Sequence, residues 1–347
     1  MSKVPLFYHK DYVKYDFGDY HPFKSDRFSK FISMIESEEE LGKVLKIIDS
    51  PRAENEDLCL VHTPQYIDRV ERMAKIGGRL SPDTPVTRYA PEAARRIVGG
   101  SLEAAKSSQK YETIINFGGL HHAGREKGEG FCLFNDVAIA AQYLIDQGKK
   151  VCILDTDAHQ GNGTMDIFYD SPKVLFISIH QDPRTIYPGK GNIEEIGHGR
   201  GEGFTVNIPL PRDSTIAEYH YSFQEVIRPL VKMYKPDVLI RNGGSDPHHS
   251  DSLTDLALDM KGLEYLGRSA SEIADEVKAP HIDLLLSGYG LRVLEGWKAI
   301  LKGVLDLDID TPSDQKISAP GQEPKSTLIK TIDGLQELLE PWWDFRV

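Results

Sequence analysis

An α/β fold is predicted here, with a single, mostly parallel β-sheet covered by helices on both faces. Two observations predict it. Brief runs rich in Val, Ile and Leu alternate with longer amphipathic segments, and acids, histidines and glycines cluster just after those runs. Runs this short and this apolar suit strands buried on both faces, and strand–helix–strand alternation is the pattern of a parallel sheet.

The β-like runs are Glu112–Asn116, Val151–Thr156, Val174–His180, Asp237–Arg241 and Ile282–Leu286. Helices are expected between them. Asn135–Gln147 opens on Asn-Asp and is followed by Gly148, a start and a stop signal. Thr215–Lys235 and Lys261–Lys278 carry apolar residues at helical spacing. Residues 1–110 read as mainly helix and loop, with Pro91–Ser108 a helix. One catalytic domain is expected over residues 1–309 and a linker rich in Pro, Ser, Asp, Lys and Gly over 310–325. An appendage over 326–347 follows, its helix Ser326–Leu339 docked on the same domain by Trp342 and Trp343.

The chain has 347 residues, with 40% hydrophobic and 27% charged residues, as in an ordinary globular protein. Its net charge of −12 argues against direct nucleic-acid binding. It agrees with a cationic substrate, and equally with many cytosolic enzymes. No apolar run is long enough to span a bilayer and the first residues lack a signal-peptide core, so no membrane association is expected. Cys59, Cys132 and Cys152 form no CxxC pair, which suits a reducing compartment, and a cytoplasmic location is expected.

In open parallel sheets ligands bind beyond the carboxyl ends of the strands. Three strand ends carry polar residues. They are Gly118-Gly119-Leu120-His121-His122, Asp155-Thr156-Asp157-Ala158-His159-Gln160-Gly161-Asn162, and Asn242-Gly243-Gly244-Ser245-Asp246. Asp157 and His159 stand two apart on an extended segment, so their side chains share a face. Taken alone such a pair reads equally well as a capping or salt-bridging device. With Asp246 from a later strand it makes a three-ligand site with one position left open, the pattern of a catalytic zinc. The neighbouring histidines suit proton transfer near neutral pH. Each needs an orienting partner; Asp155 and Asn162 are the natural ones.

These residues carry a resemblance. GGLHHAGREKGEGFCLFNDVAIA (118–140) and DTDAHQGNGT (155–164) resemble signature segments of the histone deacetylase family. So do His21-Pro22 with Arg27, Asp83-Thr84-Pro85 followed by Gly99-Gly100, Tyr187-Pro188-Gly189, Asn207 with Pro209-Leu210, and Ser287-Gly288-Tyr289. The likeness runs in order over residues 5–303. The form AHQGNG is closest to class IV-like members and their bacterial and archaeal relatives.

The resemblance implies an arginase/deacetylase-like fold and hydrolysis of N-acyl amides. Asp157, His159 and Asp246 would hold Zn2+, or Fe2+, and His121 and His122 would be the acid and base in either order. Tyr289 would be the oxyanion donor. Phe131 and Tyr187 would wall a narrow channel, with Gly130 and Gly288 beside it. Leu253 would lie at the rim, and Asp83 would anchor substrate. A structural K+ would lie against Asp155, the main chain of Asp157 and His159, Ser178 and Ile179. The expected partner is an acyl-lysine peptide or another acetylated amine such as an acetylpolyamine.

Two departures stand out. Asn162 replaces the more usual aspartate and cannot stabilise an imidazolium as a carboxylate would. Ser287 replaces a glycine before the tyrosine, which would stiffen that loop. Two other readings compete. A ureohydrolase with two manganese ions needs a further Asp-x-Asp pair, which Asp246-Pro247-His248 breaks. A non-catalytic acyl-binding module would be marked by loss of a ligand or of the tyrosine, and both are present.

Overall fold

The apolar runs become parallel strands, as a computed structural model describes for residues 3–312, 314 and 322–345. Among the described residues ten strands form in chain order: β1 (Val4–Tyr8), β2 (Leu45–Asp49), β3 (Arg79–Ser81), β4 (Thr84–Pro85), β5 (Thr113–Asn116), β6 (Val151–Asp155), β7 (Val174–Gln181), β8 (Thr205–Leu210), β9 (Val238–Gly244) and β10 (His281–Ser287). Eight of them belong to one sheet; β3 and β4 make a small antiparallel pair. Every residue of β6, β7, β9 and β10 is buried, so both faces of these strands are covered, as an all-parallel sheet requires.

The chain forms two compact units. The first comprises Met1–Gly148, Gly161–Ile167 and Pro280–Leu286. Its strands run in the order β2-β1-β5-β10, all parallel. The second comprises Lys149–Gln160, Phe168–Ala279 and Ser287–Val347, with the parallel order β9-β6-β7-β8. Among the described residues no helix is long and apolar enough to cross a membrane.

The structure corrects the sequence reading at three places. Residues 1–110 are mainly helix and loop as expected, but β1 to β4, which lie there, were not predicted. Thr205–Leu210 is a strand that the apolar pattern did not predict. The expected helix Thr215–Lys235 is broken into Ile216–Ser222, a π-turn over Phe223–Ile227 and Arg228–Tyr234. Pro229 has no N–H for the ladder, and the Arg228 N–H reaches back five residues to the Phe223 carbonyl. Of the expected linker 310–325, residues 313 and 315–321 lie outside the described residues. The helix Ser326–Leu339 buries Leu328, Ile332, Leu335 and Leu339 within the second unit. Beyond it Trp343 donates from its indole to the Gly203 carbonyl at 2.6 Å, while Trp342 stays exposed.

In the first unit the helix Asp136–Asp146 starts where the histidine segment ends. Asn135 caps it, accepting from the Ala138 N–H at 2.8 Å, and its amide nitrogen donates to the carbonyls of His121 (3.2 Å) and Ala123 (2.9 Å). The Asn135 N–H in turn donates to His62 Nε2 at 2.9 Å. His62 is buried, and burial pushes its pKa down to about 4.

This makes a pH prediction. The folded state binds the His62 proton less readily than the unfolded chain does. The stability gained from neutral His62 is therefore complete above pH 6.5 and drains away as pH falls from 6.5 towards 4. The full loss is about 3 kcal/mol. Urea midpoints measured between pH 7 and pH 4 should fall less steeply in His62→Gln than in the wild type. Equal slopes would remove His62 from the account.

Candidate functional site

The donor atoms predicted for a metal do come together. One donor each from Asp157, His159 and Asp246 lies within 4.8 Å of the other two, and all three residues are buried. β6 ends at Asp155, and the chain then bends over 157–159 instead of staying extended as expected, with the His159 N–H turned back onto the Asp157 side chain. His159 Nδ1 lies 3.1 Å from Asp157 Oδ1 and 3.0 Å from Asp246 Oδ2. The carboxylates are held from outside as well. Asp157 Oδ1 accepts from the His159 N–H at 2.9 Å and Asp246 Oδ2 from the Ala158 N–H at 3.1 Å. Asp246 Oδ1 accepts from Ser287 Oγ at 2.7 Å. Ser287, expected only to stiffen the tyrosine loop, thus orients a carboxylate of this cluster.

The electrostatics of the cluster call for a cation. Burial and the neighbouring Asp157 hold the Asp246 carboxyl well above the usual carboxylate range. Burial works against a charged His159, but the two carboxylates outweigh it and raise its pKa to about 10. Two acids and one imidazole crowded away from water are a costly arrangement unless a positive charge is shared among them. A divalent ion fits that donor set, since two oxygens and one nitrogen suit zinc and also ferrous iron.

Tyr289 lies in the same unit, its ring edge-on to the His159 imidazole with centroids 6.1 Å apart. Its main chain is clamped: the Tyr289 N–H donates to Asp251 Oδ2 at 2.6 Å, and its carbonyl accepts from Ser252 Oγ at 3.1 Å. Asp251 also takes the Leu253 N–H at 2.9 Å. Gly288 has φ +128°, and a Cβ there would stand 2.2 Å from Ser245 Oγ, so only glycine lets the chain turn into the tyrosine. Asp251 was not predicted from sequence. The signal available was an acid at the head of Asp251-Ser252-Leu253, a residue type that caps turns.

Of the residues assigned to a monovalent cation, Asp155, Asp157 and Ser178 lie together. Asp155 faces Ser178 across β6 and β7 and Asn242 across β6 and β9. Asp155 Oδ1 accepts from the Asp157 N–H and from Asn242 Nδ2, each at 3.1 Å. His180 Nε2 lies 3.0 Å from the Gly191 carbonyl and so carries the proton. Ser178 therefore donates to His180 Nδ1 (2.8 Å), which leaves its lone pairs free for a cation.

The histidine couple lies in the first unit. The Nε2 atoms of His121 and His122 are 3.1 Å apart, and both rings are buried. His122 Nδ1 is 2.7 Å from Asn162 Oδ1, the partner predicted for one histidine. Phe131 holds φ +66°, a conformation rare for a bulky side chain, and the loop around it is pinned at several points. The Phe131 N–H donates to Thr84 Oγ1 (3.0 Å) and its carbonyl accepts from Tyr15 (2.6 Å). The Gly130 N–H donates to Asp83 Oδ2 at 3.2 Å, while Asp83 Oδ1 accepts from Ser81 and Thr84 hydroxyls. Asp83, expected to anchor substrate, is engaged in shaping this loop. In the second unit Tyr187 and Leu253 are exposed.

A second group, His248, His249 and Asp314, also has donor atoms within 4.8 Å of one another. The Ser250 N–H points at His248 Nδ1 at 3.2 Å, so the proton of that ring sits on Nε2, which donates to Asp314 Oδ2 at 2.6 Å. His249 Nε2 and Arg292 Nη1 each lie 3.0 Å from Asp314 Oδ1. The Arg292 guanidinium already gives Asp314 a positive partner, so hydrogen bonds and an ion pair account for this group.

The chain is similar to known proteins. A family model described as "Histone deacetylase domain" matches residues 21–304. A "Probable deacetylase" of Archaeoglobus fulgidus is 35% identical over 297 residues, covering 84% of this chain and 80% of that one. The "Acetoin utilization protein AcuC" of Bacillus subtilis is 35% identical over 300 residues, 80% and 74% of the two chains. Among solved structures, that titled "Crystal Structure of HDA15 HD domain" superposes with a TM-score of 0.88 at 25% identity, over 99% of this chain and 95% of that one.

Proposed function

The chain belongs to the histone deacetylase family, a family of amide-cleaving hydrolases, and from that premise we propose that it removes acetyl or other acyl groups from lysine side chains in proteins or peptides. The observation that carries the reading is the buried Asp157–His159–Asp246 cluster with Tyr289 beside His159. We take residues 1–309 as the catalytic domain, and the match over residues 21–304 supports that extent.

When bound at this cluster, a zinc ion would polarise the acyl carbonyl and make water acidic enough to attack at neutral pH. The residues of this chain do the rest. One histidine of the His121–His122 couple takes a proton from water, and the other returns one to the departing amine. Asn162 holds the His122 ring by its Nδ1. Tyr289 donates its hydroxyl to the oxygen on which negative charge develops. Asp251 and Ser252 keep that tyrosine in place through its backbone. We assign Phe131 and Gly130 of the first unit, and Tyr187, Gly288 and Leu253 of the second, to recognition of the acyl-lysine chain. A potassium ion at Asp155 and Ser178 would brace the strand end that carries the metal ligands.

One experiment tests reaction and substrate together. Protein of measured metal content is assayed on acetyl-lysine peptides, longer acyl-lysine peptides and acetylpolyamines. The expected result is one divalent ion per chain and the highest kcat/KM on an acyl-lysine peptide. Two ions per chain would favour a ureohydrolase-type centre. A higher kcat/KM on acetylpolyamines would move the substrate class but keep the reaction. No turnover of any member would leave a binding module.

A further inference from the structure

Resting on the reading just given, in which His122 exchanges protons, we propose that Glu129 is a positioning residue that sets the tautomer of His122 through the side-chain amide of Asn162. Three side chains stand in line. His122 Nδ1 lies 2.7 Å from Asn162 Oδ1, and Asn162 Nδ2 donates to Glu129 Oε1 at 2.8 Å. Lys127 Nζ, 2.5 Å from Glu129 Oε2, closes the line at the surface. His122 and Asn162 are buried; the Glu129 side chain is 15% exposed and that of Lys127 65%.

The argument is one of donors and acceptors. An amide presents a donor on one side and an acceptor on the other, so an unheld asparagine can turn either face to an imidazole. A carboxylate only accepts. Glu129 therefore draws Asn162 Nδ2 to itself and leaves Oδ1 facing the ring. An oxygen facing Nδ1 at 2.7 Å requires a proton on Nδ1, because two lone pairs there would repel. That leaves His122 Nε2 with its lone pair. The Nε2–Nε2 contact of 3.1 Å to His121 then carries one proton, and His122 is the side able to accept. With the amide reversed, His122 would present Nε2–H and could not act as a base at that atom.

The backbone is built to hold Glu129 in this role. Glu129 pairs with Cys132 in an isolated antiparallel bridge, with the Cys132 N–H on the Glu129 carbonyl at 3.0 Å. Gly130 follows at φ +56°, and a Cβ there would stand 2.4 Å from His122 Cδ2. The chain thus lies directly on the imidazole face, and the glutamate reaches past it to the amide. An aspartate in place of Asn162 would orient the histidine unaided; here the carboxylate stands one side chain further out.

The test compares Glu129→Ala, Glu129→Gln and Asn162→Asp, alone and combined. Alanine removes the acceptor, whereas glutamine keeps an oxygen that can still take the Asn162 proton. Glu129→Ala should lower kcat roughly tenfold with KM and metal content unchanged, and Glu129→Gln should stay within about threefold of wild type. In the Asn162→Asp background the ring has its own carboxylate, so Glu129→Ala should cost nothing further. Imidazole nitrogen NMR, with His122 assigned by its loss in His122→Asn, should give a single Nδ1–H tautomer in the wild type and Glu129→Gln. It should give a mixture in Glu129→Ala. The proposal is overturned if Glu129→Ala leaves the tautomer unmixed, if it costs the same factor when combined with Asn162→Asp, or if glutamine is as harmful as alanine. Should no acyl substrate be turned over, the function proposed above fails, and the tautomer spectra still decide the role of Glu129.

Discussion

Asp246→Ala is expected to strip the metal centre and take turnover with it, a larger loss than removing any single hydrogen-bond donor. Asp246 supplies one of three donors, and its carboxylate is held in place by the Ala158 N–H and Ser287 Oγ. Alanine leaves two ligands, with Asp157 still beside His159 Nδ1. The loss should exceed the roughly 10²–10³-fold typical of one missing oxyanion donor. Metal content after dialysis should fall to background. A thermal melt separates this from misfolding, because ligand binding stabilises only a protein that holds the ligand. Added zinc should raise the Tm of chelator-treated wild type and leave that of Asp246→Ala where it was. A variant that still binds one ion and turns over would show that Asp246 is not a ligand, and the proposed mechanism would go with it.

Much of this centre was legible because the ligands follow strands whose chemistry is plain. Val151–Asp155 and Val174–Gln181 are continuous apolar runs, so the polar residues just after Asp155 stood out against them. Two of the strands that were missed, β2 and β8, are ones that pattern reading handles least well. β2 is an outer strand whose residues are mostly exposed and include Lys46, so its sequence lacks an apolar run. β8 lies at the other end of the order and holds Pro209, a residue that strands tolerate chiefly at edges. The parts of the site that went unread act through contact and not through composition. Glu129 matters because a chain reversal brings it to Asn162. Asp251 matters because its carboxylate meets the Tyr289 N–H. Ser287 matters because its hydroxyl meets Asp246. Nothing local in Gly128-Glu129-Gly130 or Asp251-Ser252 announces those partners.

Tyr289→Phe isolates the hydroxyl from everything else the residue does. The backbone bonds to Asp251 and Ser252 do not involve the phenol oxygen, and the edge-on contact with His159 is made by the ring. Phenylalanine therefore keeps the loop and the packing, and removes one donor. If that donor meets the charge that develops on the acyl oxygen, kcat should fall by roughly 10²–10³, equivalent to about 2.7–4 kcal/mol of transition-state stabilisation. KM should change little, because a carbonyl oxygen in the ground state draws far less from the hydroxyl than an oxyanion does. Metal content should stay at the wild-type value, which sets this variant apart from Asp246→Ala. Steady-state kinetics with metal analysis on the same sample reads all three quantities. A rise in KM at constant kcat would make the hydroxyl a binding contact. Full wild-type turnover would leave the oxyanion without the donor proposed here, and would turn the search to the backbone N–H groups that Gly288 brings into the turn.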